Sequence, residues 1–144
     1  MKFKTLLIAA GLASLLSSCK TYFISVDSFR QQFSGLDSSG LRRVVTINPL
    51  GGKTTYKTYP IDSILCFDKN GVNMKLKNGP SIEIRFTDKE NKKTVFYFDL
   101  ITVHNDTVTG SRSRIITSIK RSIPLSNVKT IEVQDGGKKY NYTK

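Results

Sequence analysis

One histidine, His104, and two cysteines, Cys19 and Cys66, are all the imidazole and thiol chemistry this 144-residue chain holds. That is too little for a zinc centre, which draws three or four ligands from Cys, His and carboxylates. His104 stands in Val103-His104-Asn105-Asp106, beside a turn signal, and reads as an exposed turn histidine. Cys66 and His104 are the one pair able to make a thiolate nucleophile, since such partners are brought together by the fold. Reactive cysteines sit at helix N-termini or electropositive openings, whereas Cys66 lies in the apolar run Ile64-Leu65-Cys66-Phe67 and reads as a buried, inert thiol. A small hydrolytic site near Cys66 and His104 is the alternative to a non-catalytic reading. Asp62, Glu83, Asp99 and Asp106 fall on separate segments and have no spacing that pairs them as glycosidase carboxylates. Asp99, flanked by Phe98 and Leu100, must find a partner if it is buried, and Arg85 on the neighbouring strand is the expected one.

The remaining chemical signal is basic. Ser111-Arg112-Ser113-Arg114 follows Gly110, and Lys120-Arg121 comes shortly after. In an extended chain Arg112 and Arg114 project to one face, giving two guanidinium forks suited to phosphate or carboxylate. Arg112, Arg114, Lys120 and Arg121 are therefore the candidate anion-binding residues, with anionic lipid or acidic glycan as ligand. No catalytic residue, metal ligand or cofactor is assigned.

These residues must be positioned by strands. From Leu41 onward apolar and polar residues alternate between turn signals. Val72, Met74 and Leu76 alternate with Asn73, Lys75 and Lys77, and Ile82, Ile84 and Phe86 with Glu83, Arg85 and Thr87, as in strands wet on one face. Asp68-Lys69-Asn70-Gly71 and Asn105-Asp106 read as hairpin turns. Thr94–Val103, apolar on both faces, reads as one central strand with Phe96 and Phe98 buried, and Gly110 as a bulge or a close-approach point. Upstream, Asp27-Ser28 can cap a short helix that sets Phe29 and Phe33 one turn apart, and the Ser/Gly-rich 34–40 reads as a linker. The expected fold is all-β: a small antiparallel barrel or sandwich meander with a short N-terminal helix. Barrel closure would remove exposed strand edges.

The N-terminus is an address. Lys2 and Lys4 precede an apolar run from Leu6 to Leu16, then Ser17, Ser18 and Cys19. That run is too short for a membrane span, which takes about 20 apolar residues. Leu16-Ser17-Ser18-Cys19 resembles the lipobox of bacterial lipoproteins, and the chain is similar to small uncharacterised lipoproteins of Bacteroidota that begin Ser-Cys-Lys. The resemblance implies cleavage before Cys19 and acylation of its thiol. It divides the chain into a leader (1–18), an acylated N-terminus with helix and linker (19–40) and a β-domain (41–144). Lys20, in the place where Asp would retain enteric lipoproteins at the inner membrane, implies the outer membrane. The absence of acidic residues after Cys19 implies its periplasmic leaflet.

Basic residues number 23 against 11 acidic, a net charge of +12, and the chain stays strongly basic once Lys2 and Lys4 leave with the leader. Such a surface favours anionic lipid headgroups or acidic polysaccharide. Nucleic acid is not an expected partner of an exported chain. With Cys19 bearing lipid, Cys66 has no disulfide partner, so the β-domain must hold without a staple. The functional expectation is a lipid-anchored cell-envelope protein of binding or scaffolding type.

Overall fold

The computed structural model describes residues 20–47, 50–79, 81–113, 116, 118–135 and, in backbone only, 141–143. The chain opens with β1 (Thr21–Ile24) and α1 (Val26–Phe33), followed by β2 (Arg42–Ile47), β3 (Lys53–Thr58), β4 (Ser63–Phe67), β5 (Asn73–Lys77) and β6 (Ile82–Asp88). After β7 (Lys93–Tyr97) come β8 (Ile101–His104), β9 (Thr107–Ser111), β10 (Lys120–Pro124), β11 (Val128–Asp135) and β12 (Asn141–Thr143). The all-β expectation with one short helix holds.

Closure into a barrel does not hold. The described strands form three separate sheets, in the orders β5-β4-β1-β11-β6-β7, β10-β9-β8 and β12-β2-β3, with antiparallel pairing throughout. Nor is the six-stranded sheet a meander. Its centre is made by β1 and β11, strands from opposite ends of the chain, paired from Thr21↔Gln134 to Ile24↔Ile131. Residues 20–40 are consequently part of the β-body and not a piece hung from it by a linker: β1 is an interior strand, and Phe29 and Phe33 of α1 are fully buried in the common core. The Ser/Gly-rich stretch folds into a 3-10 turn at Ser38–Gly40, capped by the Asp37 carboxylate on the Ser39 amide at 2.8 Å.

The helix forms where the sequence places it, but its cap is Ser25, whose hydroxyl accepts the Ser28 amide at 3.2 Å. Asp27 lies two positions past the cap, inside the first turn, and instead accepts from Arg30 at 2.6 Å. Arg30 also reaches Asp106 at 2.8 Å, tying the helix to the β8–β9 turn. That turn has two residues, Asn105 and Asp106, at φ 47° and 55°, the left-handed pair that a tight hairpin requires. Gln32 does a strand's work. β1 and β4 meet only at Phe23↔Phe67, and beyond that bridge Gln32 donates to the Leu65 carbonyl at 2.9 Å and accepts the Leu65 amide at 2.7 Å.

Five phenylalanines make the spine of the core. Phe33 and Phe29 stack at 4.3 Å between centroids, Phe33 meets Phe98 edge-on at 5.6 Å, Phe29 meets Phe86 edge-on at 5.2 Å, and Phe86 leans on Phe96 at 5.6 Å. Phe96 and Phe98 are buried as expected, yet not on one strand. The chain breaks into a 3-10 turn at Phe98–Leu100 and passes from the six-stranded sheet to β8 of the second sheet. β7 is thus an edge strand with Val95 exposed. The two-faced apolar pattern arose because the segment serves two sheets. Ile82, Ile84 and Phe86 face the core as read, whereas Val72, in the turn before β5, and Met74, on β5 at the other edge of the sheet, stay exposed.

Two hairpin turns share one construction. In Asp68–Val72 the Asp68 carboxylate accepts the Asn70 and Val72 amides at 2.8 and 2.9 Å, and Gly71 takes φ 81°. In Asp88–Lys92 the Asp88 carboxylate accepts the Glu90 and Lys92 amides at 3.0 and 2.8 Å, and Asn91 takes φ 62°.

Gly110 is the close-approach point. It stays in register with Arg121 on one side and Ile101 on the other, so there is no bulge, and a Cβ there would lie 2.4 Å from Phe96 Cγ. The Phe96 ring is fully buried and has no room to withdraw. Gly110→Ala is expected to destabilise the fold by about 1–3 kcal/mol, the usual cost of overpacking. In a Phe96→Leu background the further loss from Gly110→Ala should be smaller, which a double-mutant cycle in urea reads directly.

Candidate functional site

The sequence-derived basic cluster begins where β9 ends. β9 ends at Ser111, and the chain then folds on itself: the Ser111 hydroxyl donates to the Ser113 carbonyl at 2.6 Å, and the Arg112 amide donates to the Ile119 carbonyl at 3.0 Å. Arg112 is therefore an exposed loop residue beyond the end of β9, and Arg114, like Cys19, lies outside the described residues. Lys120 pairs with Ser111 and Arg121 with Gly110, so these neighbours on β10 point to opposite faces.

Lys120 instead borders a polar cleft of about 340 Å³ between β3 and the β8–β10 sheet. Lys57, Thr55 and Tyr59 line one wall, and Thr102, Thr109 and Ser111 the other. Its size falls at the lower end of small-molecule sites. The alternation of β3 sets the first wall, sending Tyr56 and Thr58 inward and leaving Thr55 and Lys57 outward. Tyr59 shares a hydrogen bond with Thr102 across the cleft. Burial pushes the Tyr59 phenol above its ordinary value against the pull of that bond, so it remains a neutral hydroxyl at physiological pH. Two ammonium groups above a bed of hydroxyls can hold an anionic, hydroxyl-rich ligand through charge-assisted hydrogen bonds.

Beneath this cleft is the chain's one fully buried acid, among the described residues. Asp99 accepts from the Tyr56 hydroxyl at 3.2 Å, Tyr56 in turn accepts from Thr46 at 3.2 Å, and the Asp99 carbonyl accepts the Tyr59 amide at 3.0 Å. The expected partner, Arg85, is elsewhere: it lies on the opposite face of β6 from the core and pairs with Glu132 at 3.3 Å and Gln134 at 2.8 Å. The strand break at Phe98–Leu100 turns Asp99 away from β6 and toward β3.

The remaining acids are distributed in the same structural way. Asp62 meets Arg42 at 3.2 Å and Asp106 meets Arg30, while Glu83 lies on the outer face of β6 opposite Gln134. Cys66 is a free thiol buried on β4, pushed up from its ordinary pKa by burial, with its sulfur 3.7 Å from the Met74 carbonyl. His104 is exposed at the end of β8, in a different sheet, so the fold does not make them neighbours in a ladder. An apolar groove of about 580 Å³ runs beside Cys66, between Ile24, Leu65, Phe67 and Met74, with Lys75 at its rim.

No known family, curated protein or solved structure matches this chain. The arrangement must therefore be read from its own chemistry. Sequence reasoning missed the cleft because one wall comes from β3 and the other from β8, β9 and β10, and nothing local sets β3 against that sheet. A signal was present in the hydroxyl-rich Thr54-Thr55-Tyr56 and Thr107-Val108-Thr109, but nothing local joins them.

Asp99→Ala should remove the acceptor of the Tyr56 hydroxyl and cost about 1–3 kcal/mol, the range for a buried polar group that loses one of its hydrogen bonds. Tyr56→Phe should also destabilise, and the double variant should lose less than the sum of the two. Urea midpoints that leave either single variant at the wild-type value would contradict the role given to this pair.

Proposed function

We propose that this chain is a lipid-anchored cell-envelope protein of non-catalytic, binding type. Acyl chains on Cys19 hold it at the outer membrane, on the periplasmic face. The observation that carries this reading is the order Lys2, Lys4, apolar run, Ser17-Ser18-Cys19 within the first 19 residues. The basic composition and the polar cleft support a ligand that is anionic and rich in hydroxyls, an acidic glycan being the class that suits both. The β-body, read as an open sandwich-like stack about the phenylalanine spine, presents the cleft at a seam between sheets.

Two measurements test this. Cys19→Ala should move the protein from the detergent phase to the aqueous phase at high salt, since acyl chains contribute about 0.8 kcal/mol per buried methylene and salt removes charge attraction. A variant still in the detergent phase sinks the lipid anchor. For the ligand, Lys57→Ser with Lys120→Ser should weaken binding of a uronic-acid oligosaccharide about tenfold or more, since a hydrogen bond to a charged group is worth about 1.5–3 kcal/mol. Removing Lys89 and Lys92, which lie away from the cleft, should matter less; equal losses would reduce the cleft to ordinary surface charge.

A further inference from the structure

The anchor and the fold are separated by almost nothing. Lys20 alone stands between Cys19 and Thr21, the first residue of β1, so acyl chains on Cys19 begin within about 7 Å of the sheet at the reach of an extended chain. One end of the six-stranded sheet must then lie against the leaflet. Register identifies what else is at that end. β1 runs antiparallel to β4 through the Phe23↔Phe67 bridge, and two residues on from it stand Thr21 on one segment and Lys69 on the other. The Asp68–Val72 turn is therefore beside the anchor. The Asp88–Lys92 turn is at the far end, because β11 pairs Gln134 with Thr21 and Glu83 at one end and Val128 with Asp88 at the other.

The two turns have the same hydrogen bonds and the same left-handed fourth residue, so their differences are not imposed by turn geometry. At the fifth position, which closes the turn, the far turn carries the exposed Lys92. The turn beside the anchor carries Val72, which is 58 % exposed. Valine at this closing position is not required by the hydrogen bonds of the turn, since the same position of its twin is served by lysine. Around it the chemistry is that of a bilayer interface. Lys20 and Lys69 are exposed cations, the Asp68 carboxylate is occupied by two amides, and the Phe23–Phe67 stack lies just inside the tip, on the sheet face away from α1, at 6.0 Å between centroids.

We propose that the Asp68–Val72 turn is a second membrane contact: Val72 enters the headgroup region of an anionic leaflet while Lys20 and Lys69 meet its phosphates. This rests on the lipid-anchor reading above and adds an orientation to it. The body stands end-on, with the Asp88–Lys92 turn pointing away from the bilayer. Two exposed cations and an exposed apolar residue at one end of the sheet are complementary to the phosphates and the acyl boundary of such a leaflet.

The chain has no tryptophan, so one introduced at either tip is a sole reporter. The experiment uses the full acylated chain reconstituted into vesicles of zwitterionic lipid containing phosphatidylglycerol, as Val72→Trp and, separately, Lys92→Trp. The expected result is blue-shifted emission and protection from aqueous acrylamide for Val72→Trp alone, with protection reduced by adding Lys69→Glu and by omitting phosphatidylglycerol. A chain retained by vesicles with both tips equally open to acrylamide overturns the docked turn and leaves the anchor standing. A chain not retained by vesicles overturns the anchor, and the docked turn with it. Amide hydrogen exchange on the unmutated chain tests the same contact without substitution: docking slows exchange at 68–72 on vesicles and leaves 88–92 unchanged, and equal exchange at both turns with and without vesicles overturns it.

Discussion

The Asp99 turn is where the three hydrogen-bonded sheets meet. Asp99 sits in the 3-10 turn where the chain leaves β7 for β8, so the six-stranded sheet ends on one side of it and the β8–β10 sheet begins on the other. Its side chain takes the Tyr56 hydroxyl and its carbonyl takes the Tyr59 amide, which brings in the sheet made by β2 and β3. Burying a carboxyl is costly unless it is hydrogen-bonded, so this junction tolerates little displacement of any sheet. The polar cleft adjoins it: Tyr56, which bonds Asp99, also lines the cleft, where residues of β3 face residues of β8–β10 across the gap.

Around that junction the apolar core is a linear stack, and its tolerance is set at the two ends. Phe98, beside Asp99, begins the stack, and Phe96, pressed by Gly110, ends it. The helix supplies the middle with Phe29 and Phe33, and its Gln32 amide stands in for a strand where β1 and β4 part. Helix and sheet are thus one cooperative unit: the same eight residues fill the core and close a gap in hydrogen bonding.

Much of this was legible in the sequence at the level of single elements. The helix around Phe29 and Phe33, the faces of β6, and the turns at Asp68–Gly71 and Asn105-Asp106 all follow from local period and turn chemistry. Neighbour relations were not. Alternation says which face of a strand is dry but not which strand lies beside it, so the pairing of β1 with β11 and the edge position of β5 were out of reach. The same blindness misassigned Asp99. An apolar stretch long enough for one central strand was two short ones with a turn between them, and the turn redirected the carboxyl from Arg85 to Tyr56. At the candidate site, Lys120 borders the cleft, whereas Arg112, read as part of an extended strand, lies one residue past the end of β9.

The interior position of β1 has a mechanical consequence. Any tension entering the body through its N-terminus is directed along β1, and antiparallel ladder bonds lie across the strand direction. The four pairs from Thr21 to Ile24 with β11 then bear the load together, in shear, whereas a terminal segment peeling from an edge would release its bonds one at a time. The load passes next into β6, the most extensively paired neighbour of β11, and so into the core. A chain tugged at its start is in this way gripped by its own last long strand.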